Sequence, residues 1–143
     1  MSRVKTIHTS TPTEHSDRTS WHQYFLDIAK VVATRTTCIR AIKMSGIGAV
    51  LVKENRILTT GYCGSLPGQL HCTDVGCLID DMYEGCIRTV HSEMNSLLQA
   101  AQHRISTKNS ILYCTHSPCL NCFKALAGAG VKEIYFKDEY RIV

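Results

Sequence analysis

His91-Ser92-Glu93-Met94-Asn95-Ser96-Leu97-Leu98-Gln99-Ala100-Ala101-Gln102 and, beyond residues 103–117, Pro118-Cys119-Leu120-Asn121-Cys122 decide how the chain is read. In the first stretch Met94, Leu97, Leu98 and Ala101 recur at helical spacing, which predicts a helix over 91–102. In the second, Pro118 sits where a helix tolerates proline, at its start. That helix runs from Cys119 to about Ala127 and stops at Gly128/Gly130. Ile111–Cys114 before it and Val131–Phe136 after it read as strands. Upstream, Ile47–Lys53 and Arg56–Tyr62 flank a Glu54-Asn55 turn and predict an antiparallel hairpin. Ser20 with Gln23 three residues on resembles a capping box, and Trp21, Phe25, Ile28 and Val32 continue it as an amphipathic helix to about Thr37. The order α-β-β-α-β-α-β implies an α/β fold, a three-layer α/β/α sandwich with a mixed central sheet of about five strands.

The 143 residues fit one domain, with no internal repeat. Residues 1–18 are polar and rich in Ser, Thr and His, and are expected to be a flexible tail, leaving 19–143 as the domain. A chain 44% hydrophobic and 20% charged can bury a core. No apolar run approaches the roughly 20 residues that cross a bilayer, and the N-terminus has no signal-peptide core. The expected location is the cytoplasm, a host cell's cytoplasm if the chain is viral. A net charge of +4 favours a small anionic ligand, but its even scatter and the lack of an aromatic stacking platform argue against a nucleic acid polymer.

Eight cysteines in a reducing compartment point to metal or catalysis rather than disulfides. A Cys-x-x-Cys alone fits a structural zinc knuckle or a redox pair equally well. Joined to His91-x-Glu93 it reads differently. One imidazole and two thiolates suit tetrahedral zinc and leave a fourth position for water. His91, Cys119 and Cys122 are therefore the expected Zn2+ ligands, both halves opening helices whose N-terminal dipoles favour thiolate. Glu93, two residues from His91, is the expected proton shuttle: zinc-bound hydroxide attacks while Glu93 carries protons to the ring and the leaving amine. His-x-Glu … Pro-Cys-x-x-Cys is the signature of zinc deaminases.

From Cys63 to about Arg88 no period is sustained, and a structureless loop of this length is usually functional. Cys38, His71, Cys72, Cys77 and Cys86 are candidate ligands for a second, structural Zn2+ that would order it; the alternative is thiols packed as small hydrophobes. Cys114 reads as core and His116 as a wall near the metal motif. His8, His15 and His103 read as solvent-facing.

At these residues the chain resembles the deoxycytidylate (dCMP) deaminases, particularly the bacterial and viral ones. The likeness spans about residues 20 to 140: Trp21-x-x-Tyr24-Phe25, Arg35-x-x-Cys38-x-Arg40, Gly48-Ala49-Val50, Thr60-Gly61-Tyr62, His71-Cys72, Cys86-x-Arg88-Thr89-Val90-His91 and Tyr113-x-Thr115-x-x-Pro118-Cys119. The resemblance implies a cytidine-deaminase-like fold and hydrolysis of dCMP to dUMP and ammonia, feeding thymidylate synthesis. It also implies a homo-oligomer, often a hexamer, and allosteric control by dCTP and dTTP. Two positions depart from the family: Cys63 stands where Asn is usual after Gly-Tyr, and Ser92 where Ala is usual between His and Glu. A thiol is a weaker hydrogen-bonding partner than an amide, so nucleotide recognition is expected to differ. Arg88 and Tyr140 are candidate phosphate contacts, with Cys63, Val90 and Ser117 as further substrate-binding candidates. A dCTP or dual dCMP/dCTP deaminase is the nearest rival activity. A non-catalytic zinc-stabilised nucleotide-binding module is the rival of another class, and Glu93 argues against it.

Overall fold

The computed structural model describes residues 4–9, 18–82 and 85–139. Its centre is a five-stranded mixed sheet in the order β1-β7-β6-β2-β3. β2 (Gly48–Lys53) and β3 (Arg56–Tyr62) form the expected hairpin. Glu54 and Asn55 both take positive φ, 52° and 59°, the backbone a two-residue hairpin turn requires. β6 (Ile111–His116) lies antiparallel to β2, and β7 (Glu133–Asp138) returns parallel to β6. The crossover between them is α5 (Leu120–Gly128).

The central strands are apolar on both faces, and alternation assigns each side chain to a layer. Ala49, Leu51, Leu112, Cys114, Ile134 and Phe136 pack with Leu126 of α5 and Leu97 of α4 (Ser92–Gln102). Val50, Val52, Tyr113 and Tyr135 pack with Phe25, Leu26 and Ala29 of α1 (Trp21–Ala33) on the other face. These layers make the three-layer sandwich. Leu112 and Leu126 are fully buried, so cutting either back to Ala costs about 2–5 kcal/mol. On the α1 side His22 Nδ1 meets the Tyr113 hydroxyl at 2.7 Å while its ring stacks on Tyr135. Ser20 caps α1 as expected, accepting the Gln23 amide at 3.1 Å.

Three expectations need correction. The fifth strand comes from the segment taken for a tail: β1 (Lys5–His8) pairs parallel with β7, register Lys5 to Glu133, ahead of the boundary at residue 19. Its side chains are all exposed and leave no apolar trace in the sequence; beside the backbone ladder, His8 Nε2 meets the Lys137 carbonyl at 2.8 Å and its ring lies against Phe136. Residues 10–17 of that segment, with His15, lie outside the described residues. α1 ends at Ala33 rather than near Thr37, and a short α2 (Ile39–Ile42) follows. The cysteine loop is not structureless: it holds α3 (Cys72–Val75) and the small ladder of β4 (Ile79–Asp80) with β5 (Gly85–Cys86). Among the described residues no helix is long and apolar enough to cross a membrane.

Candidate active site

Two helix starts meet at one end of the sheet. His91 is the N-cap of α4 and Cys119 the N-cap of α5. Cys119 thus sits just outside the helix it was expected to begin, and its sulfur accepts the Cys122 amide at 3.5 Å. His91 Nδ1 lies 3.5 Å from Cys119 Sγ and 3.5 Å from Cys122 Sγ. One ligand atom from each of the three residues lies within 4.8 Å of the others. His91 faces solvent, Cys119 is half-buried and Cys122 buried. A cluster sealed on one side and open on the other is what a three-ligand zinc with a free position requires.

The Cys122 thiol, then the His91 imidazole, hold the Cys119 thiol down to about 3, so a thiolate is favoured where a cation would sit. The Cys119 contact raises His91 above its ordinary value. Glu93, in the first turn of α4, is 3% exposed and its carboxyl lies against the Cys122 thiol. Burial lifts Glu93 above the ordinary carboxylate range, which suits a group that must both take and give a proton.

α4 is seated by Asn95, whose amide donates to the carbonyls of Tyr62 at 2.8 Å and Val90 at 3.2 Å. This ties the end of β3 to the residue before His91. Asn95 was not singled out in the sequence; an amide two residues after Glu93 was the available sign. Val90 itself pairs with Gly64 through two backbone hydrogen bonds.

A second cluster gathers Cys38, Cys72, Cys77 and Cys86, their sulfurs within 4.8 Å of one another. Cys38 precedes α2, Cys72 opens α3, Cys77 follows Gly76 and Cys86 lies in β5. Of the five residues expected as ligands only His71 stays out, its Nδ1 buried without a hydrogen-bond partner among the described residues. The Cys63 thiol beside Cys38 holds the Cys38 thiol down to about 4, while burial pushes Cys72 up to about 12. Four soft ligands at tetrahedral range fit structural zinc.

The remaining candidates scatter. Cys63 is buried between Cys38 and the Thr89 hydroxyl, 3.9 Å away, at the seam of the two clusters. Arg88 donates from Nε to the Gly76 carbonyl at 3.1 Å, bracing the cysteine loop. The Ser117 amide donates to the Asp138 carbonyl at 2.9 Å. Tyr140 lies outside the described residues. Cys114 is in the core as read, His8 and His103 are exposed, and His116 is buried beside the Thr115 hydroxyl at 2.9 Å.

Residues 19–138 match the family model for the cytidine and deoxycytidylate deaminase zinc-binding region. Over 125 residues the chain is 39% identical to ComE operon protein 2 of Bacillus subtilis, covering 87% of this chain and 63% of the relative. It is 34% identical to the deoxycytidylate deaminase of Schizosaccharomyces pombe, covering 87% of this chain and 39% of that one. With the deoxycytidylate deaminase of Mycobacterium phage D29 identity is 33%, covering 85% and 98%. The chain thus spans under two thirds of the first two relatives and nearly all of the phage enzyme. Among solved structures, the dCMP deaminase of cyanophage S-TIM5 in complex with dCMP and dUMP superposes with a TM-score of 0.70 at 32% identity, covering 83% of this chain and 82% of that one.

Proposed function

This chain belongs to the cytidine and deoxycytidylate deaminase zinc-binding family, and from that premise we propose that it hydrolyses dCMP to dUMP and ammonia. The observation that carries the reading is the meeting of His91 Nδ1, Cys119 Sγ and Cys122 Sγ beside the buried Glu93 carboxyl. The phage D29 relative named deoxycytidylate deaminase and the likeness to a structure holding dCMP and dUMP support dCMP as the substrate.

His91, Cys119 and Cys122 hold zinc. Bound there, zinc acts as a Lewis acid that makes water nucleophilic near neutral pH. Glu93 takes the proton that water gives up and delivers it to N3 of the cytosine as the new C–O bond forms at C4. It then carries the remaining proton to the exocyclic amine, the C4–N bond breaks and ammonia leaves. Its buried position keeps it from being fixed as a permanent anion. Cys38, Cys72, Cys77 and Cys86 hold a second, structural zinc that orders the loop over 63–88, supported by the convergence of four sulfurs drawn from four separate segments. Control by dCTP and dTTP, and assembly into a hexamer, rest on the family resemblance.

The test is to follow loss of cytosine absorbance with dCMP, dCTP and deoxycytidine side by side on zinc-loaded protein. Turnover of dCMP with little on the other two is the expected result. Turnover of none of the three overturns the reading.

A further inference from the structure

On the α1 face of the sheet, at the end where the metal residues gather, lies a cavity of about 390 Å³. It is walled by Lys30 and Ala33 of α1, by Ser45 and Gly46 before β2, by Thr115 and His116 at the end of β6, and by Lys137 and Asp138 of β7. Nothing in the metal chemistry uses it. We propose that this cavity binds the phosphoryl group of a nucleotide, with Lys30 and Lys137 as its charged ligands.

Three observations converge on an anion. Lys30 and Lys137 come from different layers, a helix and a strand, and both line the same space. They lie close enough that Lys30 lowers the Lys137 ammonium below its ordinary range, against the opposing pull of Asp138 and Asp27. Two cations crowded at one cavity favour a shared anion between them, because an anion relieves the repulsion that neither aspartate removes. The rest of the wall adds the Ser45 hydroxyl rather than a second acid, Ser45 at φ 68° being followed by Gly46 at φ 80°. Asp138 is the one carboxylate among the lining residues, so the described lysines outnumber it by two to one.

The cavity is also joined along the chain to the reaction site. His116 lines it, and the same backbone continues through Ser117 and Pro118 to Cys119. A nucleotide is the ligand class that joins a base at one end of that segment to phosphate at the other. This step rests on the deaminase reading; the phosphate binding itself does not.

The experiment titrates inorganic phosphate and dUMP into zinc-loaded wild-type protein and into Lys30→Met/Lys137→Met, by calorimetry. Two phosphate-facing charges lost at roughly tenfold each should weaken phosphate binding by about a hundredfold. Lys30→Arg/Lys137→Arg should keep most of it, and equal melting midpoints would show that all three proteins fold. Steady-state rates then separate the sources of the phosphate. If it is the substrate's own, the Met variant raises KM for dCMP with kcat little changed and leaves deoxycytidine turnover alone. If it belongs to a second nucleotide or free phosphate, dUMP and phosphate bind together and KM for dCMP holds. Equal phosphate affinity in the wild type and the Met variant overturns the site whether or not the protein deaminates dCMP.

Discussion

Gly61 of β3 lies directly beneath Ser92 of α4: a Cβ at position 61 would overlap the Ser92 carbonyl oxygen and stand 2.6 Å from the Ser96 amide nitrogen. The first turn of α4, which carries Glu93 and follows His91, therefore rests on bare backbone. Gly61→Ala should force the helix off the sheet, at a cost of about 1–3 kcal/mol. Because His91 and Glu93 ride on that turn, zinc affinity should fall with stability. Thermal melting and zinc content of the purified variant check both. A variant with unchanged melting and full zinc would show that α4 does not sit this close.

Ser92 turns the same contact into a second test. Its side chain is fully buried and its hydroxyl has no hydrogen-bond partner among the described residues. A buried polar atom left in that state costs about 1–3 kcal/mol. Ser92→Ala should raise stability by about 1 kcal/mol, or about 3 °C in Tm for a domain of this size. Deamination should be unaffected, since the hydroxyl serves neither metal nor proton. A fall in Tm would mean that the hydroxyl is satisfied.

Glu93→Gln removes the proposed proton carrier and keeps the volume. Positioned acid–base groups contribute roughly a hundredfold to ten-thousandfold, so kcat for dCMP should drop by about a thousandfold. The zinc bound at His91, Cys119 and Cys122 should stay, as a carboxamide takes no ligand position. Metal analysis alongside the absorbance assay distinguishes lost chemistry from lost metal, and near-normal kcat would remove Glu93 from its role.

Most of the architecture was legible because the central strands alternate on two apolar faces. Val50 and Val52 against Ala49 and Leu51 announce a sheet covered on both sides. Helix starts were equally plain, at Ser20 and at Pro118. β1 was not, because the side chains of Lys5–His8 all stay exposed and set up no apolar alternation. Within the candidate site, residue types and spacing singled out His91, Glu93, Cys119 and Cys122, which the fold gathers at one place. Spacing could not decide among the loop's ligands, because His71 and Cys72 are neighbours and only the fold turns Cys72 to its partners. The lysine cavity was invisible for a similar reason: Lys30 and Lys137 are 107 residues apart and meet only across α1 and β7.

The four-sulfur cluster predicts two zinc ions per chain. Cys72 is fully buried among its partners, so Cys72→Ser should release one ion and leave the other. Release of a metal that orders the 63–88 loop should lower Tm markedly, while the ion at His91 remains detectable. Zinc is counted with a colorimetric chelator after unfolding. Freshly prepared wild type carrying a single zinc with full activity would end the proposal.

His116 makes stability fall on mild acidification. The residue is 8% exposed, and desolvation lowers its imidazole below the ordinary 6.5 although Asp138 pulls upward. The folded state therefore prefers the neutral imidazole, whereas the unfolded chain binds a proton below about 6.5. Between the folded and unfolded values the unfolded state holds more protons, so stability rises with pH in that window. The contribution is whole above about pH 6.5 and is lost as the pH falls toward the lowered folded value. His116→Gln keeps a polar group near the Thr115 hydroxyl but cannot titrate. Melting curves of the zinc-saturated proteins from pH 7.5 down to about 5 should show a steeper fall in the wild type than in the variant. Parallel profiles would mean that the imidazole binds its proton equally in the folded and unfolded chain, the pull of Asp138 offsetting the cost of burial.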